Sequence, residues 1–298
     1  MPMRIDAHQH FWKIERDDYG WMDDSVAAIR RDFGPADLKP LLERCGLDGS
    51  IVVQAAPSIE ESRYLLSLAD ENPAILGVVG WIELGADCGL QDLESFALHP
   101  KFKGIRPVLQ DIAETDWILG PERLAALQQV AGIGLRFDAL IRPRHLDVIV
   151  ALADAIPTLP IVIDHCAKPV IRQGANAGNE WREGMHRLSE YPQVYCKLSG
   201  LANEYGSEWS STSLEPVASY VLSIFGAERV MWGSDWPVLN LAGNYSDWHR
   251  CAEQLAAGLS HSEHADLFGA TAARFYGISQ ACHEVVAADR SRHVEEPT

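Results

Sequence analysis

Short apolar or β-branched runs recur along this chain, each followed by a polar loop and then a stretch where apolar residues return at helical spacing. Eight runs have strand character: 4–8 (RIDAH), 50–54, 76–81, 102–106, 134–141, 160–165, 194–199 and 229–235. Helical periodicity falls between them, for example over 36–46, 59–73, 121–132 and 143–157, with Pro near several starts and Gly or Pro near several ends. Two further helical segments, 245–259 and 260–277, follow the last strand. Strand–helix alternation demands a parallel sheet with right-handed crossovers, and eight such units closing on themselves predict a single-domain α/β fold, a (β/α)₈ TIM-like barrel. It is expected over residues 1–282, with a polar C-terminal tail over 283–298. An open doubly wound sheet would want a glycine-rich phosphate loop after the first strand, but that position reads HQHFW.

Composition narrows the class. The 298 residues are 47% hydrophobic and 22% charged, the balance of an ordinary globular chain, and no apolar run approaches the length of a membrane span. A strand beginning almost at Met1 leaves no room for a signal peptide, so a cytoplasmic protein is expected. Cys45, Cys88, Cys166, Cys196, Cys251 and Cys282 lie far apart without a CxxC pair, which suggests reduced, mostly buried thiols. A formal net charge of −17 disfavours nucleic acid and anionic membranes as partners. Oligomeric state is not legible.

Candidate chemistry gathers where the predicted strands end, because in such a barrel those ends surround a common mouth. In order they present His8 and His10, Gln54, Trp81, Arg106, Asp138, His165 with Lys168 beyond, Lys197, and Asp235 followed by Trp236. Strand alternation would project His8 and His10 together, with Ala7 and Gln9 opposite. Each residue also has an ordinary structural role open to it. His165 alone could be a hydrogen-bonded core residue, Asp235 could brace a turn, Trp81 and Trp236 could be packing, and Gln54 could satisfy backbone. Arg106 and Lys197 could pair with neighbouring carboxylates. Their ordered combination is what points to a site, since polar groups left unpaired in a core cost several kcal/mol.

The motifs IDAHQHFW, VVQAAPS, GVVGWIEL, FKGIRPVLQD, IVIDHCAKP, YCKLSGL and MWGSDWPV resemble the successive strand motifs of the amidohydrolase superfamily, in its amidohydrolase-2 branch. Within it the chain is most similar to the sugar-lactone and dicarboxylate-lactone hydrolases, from about residue 4 to about residue 277. The resemblance implies a distorted (β/α)₈ barrel with hydrolysis at its mouth. It makes His8 and His10 the first-strand pair, His165 the sixth-strand histidine and Asp235 the eighth-strand acid that activates water. Metal-bound relatives usually add a carboxylated Lys or a Glu on the fourth strand, or a His on the fifth; here those strands carry Arg106 and RFDAL. A binuclear centre is therefore not expected. His8, His10 and Asp235 could still supply three ligands to one zinc ion, with an open water position and His165 close by. No metal is strictly required, because some members of the branch work without one.

Ester hydrolysis needs an activated water, a polarised carbonyl and a proton for the departing alkoxide. Asp235 is the expected base, with His8, His10 and His165 holding water or polarising the carbonyl. Arg106, Lys168 and Lys197 would bind hydroxyls or a carboxylate, alongside Trp81, Trp236, Gln54 and Asp138. A dicarboxylate lactone would want several arginines for bidentate capture, and only Arg106 stands clearly at the mouth, with Arg142 in a loop. The expectation is hydrolysis of a neutral aldono-1,4- or 1,5-lactone, in the L-fucono, L-rhamnono or a related series, to the open sugar acid. A dicarboxylate-lactone hydrolase, a metal-dependent decarboxylase and a non-catalytic sugar-acid binding module are the competing readings.

Overall fold

The computed structural model describes residues 2–85 and 87–279. The expected polar tail 283–298 and Cys282 lie outside the described residues. Eight parallel strands run β1 (Ile5–Gln9), β2 (Gly49–Val53), β3 (Ile75–Gly80), β4 (Phe102–Ile105), β5 (Arg136–Ala139), β6 (Ile161–Ile163), β7 (Val194–Leu198) and β8 (Val230–Trp232), each paired with the next in sequence order. This is the predicted (β/α)₈ barrel. Outer helices follow the strands, including Pro35–Cys45, Ile59–Glu71, Pro121–Gly132, Leu146–Ala155 and Ser211–Phe225. Among the described residues no helix is long and apolar enough to cross a membrane.

The strands are shorter than the apolar runs that announced them, most clearly β6 and β8, because the chain leaves the ladder where the site begins. His165, Cys166, Ala167 and Lys168 take φ values of 54°, 51°, 59° and 50°, a left-handed turn, and Asp235 takes 58°. Each non-glycine residue held this way costs roughly 1–2 kcal/mol, so the surroundings must hold it there. The segment 260–277, read as one helix, is broken into His261–Ala265, a π turn Asp266–Ala270 and Thr271–Tyr276. The cause is contact with the base of β1: a Cβ on Gly269 would lie 1.9 Å from the Met3 carbonyl oxygen.

The inside of the barrel has two layers. Ile5, Ile51, Leu76, Val162 and Met231 come from five strands and meet in one cluster, so they fill the interior, and Phe275 and Tyr276 of the last helix join them. Above this apolar plug lie polar side chains. Alternation along β1 does not carry His8 to that layer. Asp6 pairs with Ser50 but Gln9 pairs with Val52, so three steps on β1 match two on β2. This bulge lets Ile5, Ala7 and His8 all face inward, while Asp6 faces outward to Tyr245 of helix Tyr245–Leu255. Ala7, expected opposite His8, is thus part of the interior.

Candidate active site

Three acceptor atoms converge on one point at the top of the barrel. His8 Nε2 and His10 Nε2 are 3.2 Å apart, His10 Nε2 is 3.3 Å from Asp235 Oδ1, and His8 Nε2 is 3.7 Å from the same oxygen. His165 Nε2 approaches Asp235 Oδ1 to 3.8 Å. The residues beneath decide which nitrogens carry protons. His10 Nδ1–H donates to the Val53 carbonyl at 2.7 Å, which leaves Nε2 with its lone pair toward the cluster. His8 Nδ1 lies 3.3 Å from Asp164 Oδ1 and 3.2 Å from Lys197 Nζ; a proton on Nδ1 directed at the carboxylate would leave His8 Nε2 in the same state.

Two nitrogens on one tetrahedral zinc, each about 2.0–2.1 Å from it, lie roughly 3.3 Å apart. The two Nε2 atoms therefore stand at ligand spacing, and their lone pairs and the Asp235 carboxylate face one another with no proton of their own to share. The donor set fits one divalent cation. Asp164 and His165 with His8 form a second such grouping.

Closure of the barrel positions Asp235. Its N–H donates to the His8 carbonyl at 2.8 Å, and His10 N–H donates to the Trp236 carbonyl at 2.8 Å, so the segment after β8 docks directly on β1. Asp6 locks this seam: its Oδ1 accepts from Ser234 N–H at 2.9 Å and His8 N–H at 3.1 Å, and its Oδ2 accepts from the Tyr245 hydroxyl at 2.8 Å. Burial would by itself raise the Asp235 carboxyl, but His165, His10 and His8 hold it well below the usual carboxylate range. His165 is pushed down to about 4 by burial, against the pull of Asp235 and Asp164, and is neutral at pH 7. Its Nδ1 meets the Ser199 hydroxyl at 2.8 Å. Gly200 makes room for that ring, since a Cβ there would stand 2.7 Å from His165 Cγ and Nδ1.

A buried ionic layer supports these residues from below. Lys197 Nζ lies 2.5 Å from Asp138 Oδ2, 3.0 Å from Asp164 Oδ1 and 3.2 Å from His8 Nδ1. Arg106 Nη1 reaches Asp164 Oδ2 at 3.3 Å, and its Nη2 donates to the Gln54 carbonyl. The Tyr276 hydroxyl donates to Asp138 Oδ2 at 2.8 Å, tying the floor of the barrel to this layer. Two acids thus face two bases, and a charge pair this deep persists only when it is so matched. Burial lifts Asp138 to about 6, with Lys197 opposing. Asp164 is held well below its usual range by Lys197, His8 and Arg106, although burial works the other way. Burial pushes the His8 imidazole well down against the charge of Asp164.

The residues read from the sequence accordingly separate. His10, His165, Asp235, Arg106, Gln54 and Lys168 line a cavity of about 200 Å³. His8, Lys197 and Asp138 are fully buried and none of the three lines the cavity; the last two lie beneath the histidines. Gln54 is bound to backbone, its Nε2 donating to the Arg106 carbonyl at 2.7 Å. The two tryptophans expected to face the substrate do not reach the cavity. Trp236 follows the left-handed Asp235 and packs edge-on against Phe11 and Phe33. Trp81 is drawn to helix Ile59–Glu71, where Ser62 Oγ bonds both its N–H and its carbonyl. Trp12 and Trp21 line the cavity instead, Trp21 held by donation of its Nε1–H to the Ala55 carbonyl at 2.8 Å.

Asp164 is the functional residue that sequence reasoning missed, and its signal was an acid set between IVI and His165, where burial requires a cationic partner. A larger cavity of about 350 Å³ lies outside the barrel, lined by Leu38, Leu42 and Ile75; none of the histidines reaches it.

The chain is 44% identical over 284 residues to an L-fucono-1,5-lactonase of Burkholderia ambifaria, covering 94% of this chain and 97% of that protein. It is 33% identical to an L-fucono-1,5-lactonase of Burkholderia multivorans, over 93% and 97% of the two chains. A crystal structure of an amidohydrolase from Burkholderia multivorans with bound zinc superposes with a TM-score of 0.88 at 33% identity, covering 93% of this chain and all of that one, 100%. The amidohydrolase family model matches residues 5–278, and with the barrel and its histidine–aspartate mouth this places the chain in the amidohydrolase family.

Proposed function

We propose that this protein is a lactonase that hydrolyses a neutral aldono-1,5-lactone, of the kind named for its L-fucono-1,5-lactonase relatives, to the open sugar acid. The observation that carries the reading is the convergence of His10, His165 and Asp235, with buried His8 against them, on a cavity of about 200 Å³ whose one lining guanidinium among the described residues, Arg106, is already committed to the Gln54 carbonyl and Asp164. A dicarboxylate lactone would find no free bidentate partner on that wall, whereas a neutral sugar ring fits its mixed surface of Trp12, Trp21, Leu140 and polar groups.

Asp235, ionised at neutral pH, takes a proton from a water seated between it and the histidines. The resulting nucleophile attacks the lactone carbonyl. Ser199 donates to His165 Nδ1, leaving Nε2–H to stabilise the oxyanion as charge develops. The carbon–ring-oxygen bond breaks as the tetrahedral centre collapses. Asp235 then returns its proton to the departing alkoxide, so the net change is addition of one water. His8, His10 and Asp235 would hold a zinc-like cation, which when bound polarises a carbonyl and makes water more acidic. Asp164, beside His8 Nδ1, favours the tautomer this requires.

Acid release measured with a pH indicator over a panel of aldonolactones and dicarboxylate lactones, with and without chelator, tests the proposal. Turnover of a neutral 1,5-lactone is expected. Silence on every neutral lactone, with turnover of a dicarboxylate one, would replace it, and turnover surviving exhaustive chelation would remove the cation from the account.

A further inference from the structure

The wall of the cavity formed after β4 has a feature that hydrolysis itself does not use. After β4 the chain makes a tight turn, Leu109–Asp111, anchored by buried Leu109. The Gln110 N–H donates to the Leu140 carbonyl at 3.1 Å, while Arg144 Nη2 donates to the carbonyls of Gln110 at 3.3 Å and Ile112 at 2.8 Å. The next strand's loop therefore holds this turn rigid from outside. Gln110 and Asp111 both line the cavity. Gln110 Nε2 leans toward Asp111 Oδ2 at 3.4 Å, and Gln110 Oε1 is buried with no hydrogen-bond partner. A buried acceptor left empty is costly, and Gln110 belongs to the cavity wall, where a small turn of the side chain would offer that oxygen to a ligand. Side by side, the amide oxygen and the carboxylate make a pair of acceptors on a fixed backbone, which is the complement of adjacent hydroxyl groups.

We propose that Gln110 and Asp111 are the specificity-determining residues of this site: they accept hydrogen bonds from ring hydroxyls remote from the lactone carbonyl, and Asp111 rejects lactones that carry a carboxylate there. The inference rests on the lactonase reading and deepens it. Neutral polyols bring donors to both acceptors. A carboxylated ring brings a like charge up to the exposed Asp111 carboxylate, a repulsion that added salt weakens.

The test uses the full-length enzyme with a neutral aldono-1,5-lactone and the 1,5-lactone of the aldaric acid of the same ring stereochemistry, in which a carboxylate replaces the exocyclic carbon group. The ratio of kcat/KM, anionic over neutral, should rise about tenfold in Asp111→Asn and further in Asp111→Lys, and the gain should shrink as ionic strength increases. In Gln110→Leu, the preference for the hydroxylated lactone over unsubstituted δ-valerolactone should fall about tenfold. Asp111 is exposed, so its variants are expected to fold, and melting curves check this. Ratios that do not move across the charge series overturn the proposal while leaving the lactonase reading intact. A wild-type enzyme inactive on both lactones overturns the lactonase reading, and this inference with it.

Discussion

Between β2 and β3 the barrel wall is a backbone ladder that slips once, from Ser50 opposite Ile75 to Ile51 opposite Gly77, and then runs on to Val53 opposite Val79, sealed on the inside by Ile51, Val53, Leu76 and Val79. Between β8 and β1 the wall is made another way. Here the residues after β8 dock on His8 and His10, and the side chain of Asp6 gathers Ser234, His8 and Tyr245 around one carboxylate. A regular ladder sends alternate residues away from the interior. The β8–β1 seam instead delivers His8, His10 and Asp235 to one point, and it does so through a left-handed residue and a buried acid, on a strand whose register also slips against β2. Strand-to-strand pairing supplies stability, and a seam closed by loop backbone and a buried side chain supplies the convergence that chemistry needs.

That contrast can be broken from either side. Asp235→Asn keeps the shape of the seam and removes its base, so kcat/KM on the preferred lactone should fall by about a thousandfold with little change in melting temperature. Loss of fold in the same variant would show that Asp235 is structural. Asp6→Ala should damage both properties. It leaves the Ser234 and His8 N–H groups and the Tyr245 hydroxyl without their acceptor, at about 1–3 kcal/mol, and lets His8 and Asp235 drift, lowering kcat by about tenfold or more. Denaturant titration and steady-state kinetics on one preparation would separate the two losses.

On the laddered side, Ile51→Ala should cost about 3 kcal/mol of stability through the cavity it leaves, while the folded fraction keeps its kcat. A kcat that fell with the stability would erase the distinction drawn here.

The effect furthest from the chemistry concerns a second carboxylate that, like Asp6, gathers backbone and a tyrosine hydroxyl. Glu61 accepts from Ala55 N–H at 3.1 Å and from the Tyr19 hydroxyl at 2.9 Å, holding the loop after β2 against the segment that carries Trp21. Burial raises its pKa to about 7, opposed by those bonds and by Arg16. The native state then keeps a proton that the unfolded chain, titrating near 4.5, has lost. Stability from this group is present below about pH 4.5 and is lost as pH rises toward 7, by about 3 kcal/mol at most. Glu61→Gln should flatten that part of a stability-against-pH curve; an unchanged slope would mean that other groups carry it.

Much of the architecture was legible before the fold. Eight apolar runs alternating with helical stretches led to the barrel, and the rule that strand ends share a mouth gathered His8, His10, His165 and Asp235 from positions spread over most of the chain. Other features were hidden because they depend on where the chain leaves its regular path. Alternation pairs His8 with His10 correctly, yet it also puts Ala7 on the opposite face, and only the slipped register between Asp6 and Gln9 brings Ala7 inside. Trp236 stands next to Asp235 in sequence but is turned away by the left-handed bond before it, while Trp12 and Trp21 arrive from the loop after β1.

Periodicity and residue type by themselves determined the number of strands, their parallel order and the chemical character of the mouth, because those follow from local hydrophobic spacing and from the expense of burying polar groups. Tertiary structure alone decided that Asp164 and Lys197 lie under His8, that Tyr276 closes the floor against Asp138, and that Gln110 and Asp111 face the cavity. These are contacts between residues distant in sequence, fixed by how eight strands close on one another. No local pattern encodes them, since each partner would be an equally good surface or core residue until its neighbour was in place.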